Sequence, residues 1–192
     1  MARNQEVEIK FRAKNVRALN KSLTREGFRL KTKRTHEMNT LYDLRGQPLR
    51  KRGEMLRLRL YGSAWTLTHK AKGKTGRHKK RVEYETTLQD GKQMDLILRA
   101  LGFAPTFRYE KFRAEWTDGK GKVVVDETPI GNFGEIEGPA RWIDETARRL
   151  GISSRDYITE TYAPMFFQWK KVTCSSADEM TFHAVRAASH PR

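Results

Sequence analysis

Glu6-Val7-Glu8-Ile9-Lys10-Phe11 alternates charged and apolar side chains over six positions, the period of a β-strand whose two faces differ. Glu6, Glu8 and Lys10 point one way, and Val7, Ile9 and Phe11 the other. Two carboxylates along one face with an ammonium beside them suit a divalent cation lying next to a phosphate. The same pattern also serves an edge strand with a wet charged side. What decides between them is whether later strands repeat it.

They do, with the signs sorted. One face collects Arg57/Arg59, Thr66/Thr68/Lys70, Glu83/Glu85 (with Arg81 on the same side), Lys111/Arg113, Asp126 and Glu135/Glu137. The opposite face is apolar in most of these strands, with Glu110 and Glu115 as exceptions. Acidic and basic pairs fall on different strands, whereas a face built for solubility interleaves Lys with Glu. Strands are expected at 28–33, 34–43, 55–61, 64–70, 81–86, 106–117, 123–128 and 135–137, many joined by short turns such as Gly62-Ser63 and Asp118-Gly119-Lys120-Gly121. Helical spacing of apolar residues places helices at 15–26, 91–101 and 139–150, each followed by a glycine (Gly27, Gly102, Gly151).

Roughly eight strands to three helices, in that order, predict an α+β fold with an antiparallel sheet and helices packed on its apolar face. If helices cover the apolar face, the charged face lines the concave side or the interior of a barrel. An eight-stranded barrel is just wide enough for a small ligand. Charges of both signs inside it are costly when unpaired, and a polyanion bridged to the carboxylates by metal ions satisfies both. A triphosphate is the most economical such ligand. Residues 156–170 read as a helical or irregular aromatic-rich segment. From Val172 onward the periodicity fades, so a domain over 1–171 is expected with a frayed or loosely docked tail over 172–192.

The chain's 192 residues fit one domain. A hydrophobic share of 37%, a charged share of 32% and a net charge of +16 point to anionic partners. No apolar run is long enough for a membrane span, and no signal peptide is legible. The lone Cys174 excludes an intramolecular disulfide framework and suits a reducing cytoplasm. The run from Lys72 to Lys80 has no apolar anchor and reads as a mobile hairpin loop, a candidate contact for polyphosphate or nucleic acid. His36, His69 and His78 form no ligand set. Trp65, Trp116 and Phe112 alternate away from the charged face and, like Trp142, Phe166 and Phe167, read as packing. An exposed sheet edge allows a homodimer, but no interface is legible.

Glu6-x-Glu8-x-Lys10, followed in order by Arg57-x-Arg59, Lys70, Arg81-x-Glu83-x-Glu85, Lys111-x-Arg113, Asp126, Gly134-Glu135-Ile136-Glu137-Gly138 and Asp156-Tyr157-Ile158-Thr159, resembles the CYTH superfamily, the triphosphate tunnel metalloenzymes. These include class IV adenylate cyclases, thiamine triphosphatases, inorganic tripolyphosphatases and RNA triphosphatases. The resemblance implies an eight-stranded antiparallel tunnel with a triphosphate inside. It implies that Glu6, Glu8, Glu135 and Glu137 hold Mg²⁺ or Mn²⁺, with Asp126 and Glu85 serving a second metal or an activating water. Lys10, Arg57, Arg59, Lys70, Lys111 and Arg113 would neutralise phosphate oxygens, with Lys10 at the reacting group. Carboxylates suit hard cations, Arg forks grip phosphate and Lys acts as a point charge.

Hydrolysis needs a water positioned by a carboxylate, for which Glu83 or Glu85 qualifies. Three functions stay open: a metal-dependent hydrolase of a small triphosphate, a cyclase making cyclic AMP and pyrophosphate from ATP, and a non-catalytic binder of polyphosphate or nucleic acid. With no adenine pocket legible, hydrolysis is the first expectation. Carboxylates on the charged face argue against a pure polyanion binder.

Overall fold

The structure, a computed structural model, describes residues 5–74 and 76–188; Thr75 of the basic loop and the ends of the chain lie outside the described residues. Its elements in order are β1 (Gln5–Arg12), α1 (Val16–Arg25), β2 (Arg29–Asp43), α2 (Pro48–Lys51), β3 (Met55–Tyr61), β4 (Ala64–Lys70) and β5 (Lys79–Leu88). There follow α3 (Gly91–Ala100), β6 (Ala104–Thr117), β7 (Lys122–Thr128), β8 (Gly131–Glu137), α4 (Ala140–Arg149), a 3₁₀ turn (Ser154–Asp156), α5 (Tyr162–Thr173) and α6 (Phe182–Ala188). The eight strands close into a barrel in the order β1-β5-β4-β3-β2-β6-β7-β8. Every neighbouring pair is antiparallel.

The apolar faces turn outward and meet helices, as the period of two requires. Ile9 and Phe11 of β1, Val123 and Val125 of β7 and Ile136 of β8 pack against Leu23 of α1 and Trp142, Ile143 and Ala147 of α4. On the other side α3 brings Leu98 onto Leu58 and Tyr42, with Trp65 and Leu67 alongside. Asn15 caps α1, its Oδ1 accepting from the Ala18 amide at 2.9 Å. Gly134 is bare for a packing reason: a Cβ there would lie 2.1 Å from the Phe11 ring on the adjacent strand.

Three expectations are corrected. Residues 28–33 and 34–43 are not two strands but one, β2, paired with β6 along its length. Nothing between Lys33 and Arg34 supplies turn chemistry, and the irregularity is absorbed as register shifts at Leu30/Thr32 and Thr32/Thr35. The basic loop, in its described residues, is tied down. Lys74 bridges Lys80, and Asp144 of α4 accepts from Arg77 Nε at 3.1 Å and bonds His78 Nε2 at 2.9 Å.

Residues 174–188 are not frayed, and the last four residues of the expected tail lie outside the described residues. Ala177, Met180 and Val185 are buried with Phe107, Tyr109, Phe133, Tyr162 and Phe166. Met180 exchanges backbone hydrogen bonds with Arg108 and Glu110 on the part of β6 that β7 leaves unpaired. Glu110 accepts from the Phe182 amide at 2.6 Å and bonds His36 Nε2 at 2.7 Å. While α1, α3 and α4 pack outside, α5 and the tail thus close one end of the barrel, where Phe133 and Tyr109 point inward. Among the described residues no helix is long and apolar enough to cross a membrane.

Candidate active site

Alternation along each strand sends the charged positions into the barrel, where they line a cavity of about 390 Å³. Its wall carries Glu6, Glu8, Lys10, Arg57, Arg59, Lys70, Glu83, Glu85, Lys111, Arg113, Glu135 and Glu137, all expected from the sequence, together with Lys79, Arg81, Lys122, Tyr109 and Tyr162. Asp126 is brought to the same network but lies behind it, fully buried. It accepts from Lys111 at 2.8 Å, from both Arg113 nitrogens at 2.7 and 2.8 Å and from the Tyr162 hydroxyl at 2.7 Å.

Two opposed groups of ion pairs form. On the β6–β7–β8 side, Arg113 reaches Glu135 at 2.6 Å, and Lys10 reaches the other oxygen of Glu135 at 3.0 Å. Glu37 of β2, with no exposed surface, backs Lys111 and Arg113 at 3.5 and 3.7 Å. Burial pushes the Glu135 carboxyl up, but Lys10 and Arg113 outweigh it and hold it well below the usual range. On the β3–β4–β5 side, Lys70 bridges Glu6 and Glu83, each at 2.7 Å. Glu85 accepts from Arg59 at 3.2 Å and from the Thr68 hydroxyl at 2.7 Å. Burial raises Glu83, but Lys70 together with Glu6 and Arg57 lowers it on balance, leaving a weak base.

Sequence reasoning overlooked Glu37, Lys79, Lys122 and Tyr162. Lys79 continues the 81/83/85 alternation and Lys122 shares a face with Val124 and Asp126, so both were legible. Glu115, counted as an exception to the charged face, keeps the alternation of Lys111 and Arg113, and its charge is felt by the tunnel's Lys122. Tyr162 had no signal. It enters at the start of α5, where its ring lies 4.5 Å from Lys10 Nζ and 4.7 Å from Lys111 Nζ.

The lining holds nine cationic and six acidic side chains, and the buried Glu37 and Asp126 behind Lys111 and Arg113 bring the carboxylates of the network to eight. Arg57 and Arg81 each keep a buried Nε with no hydrogen-bond partner among the described residues. Buried donors of that kind call for an acceptor, and phosphate oxygens supply one.

Metal ligation was tested on the same wall. Among the described residues no group of three acidic, imidazole or thiol side chains stands close enough to hold an ion. Instead Glu8 meets Lys79 at 2.9 Å and Glu137 meets Lys122 at 2.9 Å. Yet β1 and β8 are neighbours, with Glu8 directly opposite Glu137 in register. The Glu137 carboxyl is raised chiefly by burial, against the pull of Lys122, with smaller pushes from Glu6 and Glu8. Hard oxygen donors that repel one another are what a divalent cation relieves. Glu6, Glu8 and Glu137 therefore fit such an ion in chemistry and neighbourhood.

An antiparallel barrel with cations and carboxylates facing one another across a closed interior is a tunnel for a polyanion. The chain belongs to the CYTH domain family, whose model matches residues 4–162. Solved structures share the fold. A candidate adenylate cyclase from Vibrio parahaemolyticus is 18% identical with a TM-score of 0.74, covering 84% of this chain and 97% of its own. A Pyrococcus horikoshii protein is 23% identical with a TM-score of 0.71, covering 85% and 98%. A candidate adenylyl cyclase from Hippeastrum, described with a dominant triphosphatase activity, is 19% identical with a TM-score of 0.65, covering 85% and 95%. No curated protein matches the chain.

Proposed function

We propose that this protein is a divalent-metal-dependent triphosphatase that holds a small triphosphate in the tunnel and releases its terminal phosphate. The observation that carries the reading is the convergence of Lys10, Arg57, Arg59, Lys70, Lys111 and Arg113 with Glu6, Glu8 and Glu137 on one cavity. A pure polyanion binder gains nothing from those carboxylates.

In this reading the cations bind and straighten the phosphate chain, and Glu6, Glu8 and Glu137, with Glu135 beside them, would hold Mg²⁺ or Mn²⁺. Such an ion supplies charge neutralisation at the phosphoryl oxygens. Glu85 orients a water in line with the terminal phosphorus, its side chain being 35% exposed where that of Glu83 is 18%. As the new P–O bond forms, the bridging P–O bond breaks, the water's proton passes to the Glu85 carboxylate, and Lys10 and Lys70 balance charge on the departing oxygen. The products are orthophosphate and the shortened di- or organic diphosphate. Asp126 acts from behind, fixing Lys111 and Arg113.

The test is purified protein with Mg²⁺ or Mn²⁺ against tripolyphosphate, thiamine triphosphate and ATP, following orthophosphate, pyrophosphate and cyclic AMP together. Orthophosphate release that disappears on chelation is the expected result. Stoichiometric cyclic AMP and pyrophosphate from ATP would replace the hydrolase with a cyclase. Salt-sensitive binding without turnover of any triphosphate would leave only a binder.

A further inference from the structure

Four inward-facing side chains form one row across the tunnel wall. In register, Lys79 of β5 stands opposite Glu8 of β1, Glu8 opposite Glu137 of β8, and Glu137 opposite Lys122 of β7. These four strands are consecutive around the barrel, so the row reads cation, acid, acid, cation. Strand pairing alone fixes that order, because directly opposed residues send their side chains to the same face. The ion pairs follow it: Lys79 Nζ lies 2.9 Å from Glu8, and Lys122 Nζ 2.9 Å from Glu137.

The acids of the row are held differently from those deeper in the network. Asp126 and Glu135 meet Arg113, whose planar fork fixes the carboxylates it grips. Glu8 and Glu137 have one ion-pair partner each among the described residues, and both partners are lysines. An ammonium on a flexible four-carbon stem is a point charge, able to exchange one oxygen partner for another. With both ammoniums in place the two carboxylates are balanced. A divalent ion between Glu8 and Glu137 adds two positive charges beside Lys79 and Lys122. At about 5 Å, the spacing of opposed residues, that repulsion costs about tenfold in ion affinity per lysine even at the dielectric of water. A polyanion reverses the sign, since its oxygens accept from the ammoniums that the ion displaces.

We infer that Lys79 and Lys122 guard the Glu8–Glu137 pair, so that the divalent ion enters with the triphosphate rather than ahead of it. As the ion takes the carboxylates, the two ammoniums pass to phosphate oxygens. This rests on the triphosphatase reading for its ion and deepens it by coupling the two ligands of the tunnel. Lys79 is the stronger guard, because its pair with Glu8 is buried, whereas the side chains of Lys122 and Glu137 are 38% and 31% exposed and better screened by solvent.

The test measures Mn²⁺ binding to the purified chain by electron paramagnetic resonance of the free ion and by calorimetry. It is run first alone and then with an imido-bridged tripolyphosphate that resists hydrolysis, with the ion's binding to the free polyanion subtracted. Lys79→Gln and Lys122→Gln remove the charge and keep a donor for the neighbouring carboxylate, and thermal melts verify that each variant is folded. Without the polyanion, Mn²⁺ should bind about tenfold more tightly to Lys79→Gln than to wild type, and about threefold more tightly to Lys122→Gln. The polyanion should tighten Mn²⁺ binding by a larger factor in wild type than in the double variant, and Mn²⁺ should tighten the polyanion by that same factor. Affinity for Mn²⁺ alone that is unchanged or weaker in Lys79→Gln, or a coupling undiminished in the double variant, overturns the inference. Should Lys79→Gln not fold, Lys122→Gln, at the more exposed end of the row, decides by the same criterion. If Mn²⁺ binds no form with or without the polyanion, the inference falls together with the metal site. If Mn²⁺ binds as expected but no triphosphate is turned over, the triphosphatase reading falls alone.

Discussion

Glu37 shows what holds a charged side chain inside this barrel. Burial pushes its carboxyl up, but Lys111 and Arg113, with Arg57 and Arg59 beyond them, hold it well below the ordinary range. Glu37→Gln would strand buried cations, a loss of about 3–5 kcal/mol by analogy with broken buried pairs, seen as a lower denaturation midpoint at neutral pH. Because the folded pKa is depressed, this contribution is present above the unfolded value of about 4 and fades as pH falls below it. The stability gap between wild type and E37Q should therefore close on acidification; a gap that stays constant to about pH 2 would contradict the ion-pair account. The residue was missed because a period of two yields two faces without saying which is inside. Met38, Thr40 and Tyr42 of β2 make as plausible a strand face as Glu37, Asn39 and Leu41. Glu8 is the opposite case, legible at once. Glu8→Gln should abolish metal-dependent turnover with an unchanged circular dichroism spectrum, and full retained activity would remove β1 from the metal site. Gly134→Ala, which drives a methyl into the Phe11 ring, should cost about 1–3 kcal/mol; wild-type stability would mean that β1 and β8 can part without strain.

Whole elements were readable where burial repeats and unreadable where it does not. Val7, Ile9 and Phe11 flag β1 because three alternate positions bury together. Ala177 and Met180 each bury from irregular backbone, so no period marks them, and the tail reads as loose although Met180 has no exposed surface. The bulges in β2 hide its continuity in the same way, by shifting the alternation partway along. The tail's contribution can be measured. Ending the chain after Thr173 removes the buried Ala177, Met180 and Val185 and leaves the Arg108–Glu110 backbone without its outer partner. Two large apolar side chains at about 1.5–3 kcal/mol each predict a melting temperature lowered by several degrees. Amide exchange should quicken at Glu110, whose N–H loses the Met180 carbonyl. Unchanged melting and exchange would make the tail an ornament rather than part of the barrel's closed end.

At the scale of the molecule, alternation reveals faces but not neighbours, so the closure of β1 on β8 was not readable from period alone. Resemblance to a family implied only that Glu6, Glu8, Glu135 and Glu137 share a site; that β1 and β8 are neighbours, with Glu8 opposite Glu137, is what the structure adds. A second cavity, of about 280 Å³ and lined by Leu41, Met55, Phe107 and Phe167 among others, was beyond reach for a related reason: these four come from four elements whose meeting no local pattern encodes. Charge is the property the sequence states outright, yet most of the +16 surplus lies outside the tunnel, where nine cations face six carboxylates. Exposed charges such as Lys31 and Lys33 do not line the cavity, but they add to the field that draws a polyanion toward it. Such long-range attraction is screened over about 10 Å at 0.1 M salt, whereas the buried pairs around Lys10 and Arg113 are screened much less. Raising ionic strength from about 0.02 to 0.3 M should therefore reduce kcat/KM for a triphosphate several-fold while kcat changes little. A kcat/KM that stays flat would confine the useful charge to the tunnel wall, and a kcat that falls in parallel would mean that salt reaches the tunnel's own ion pairs.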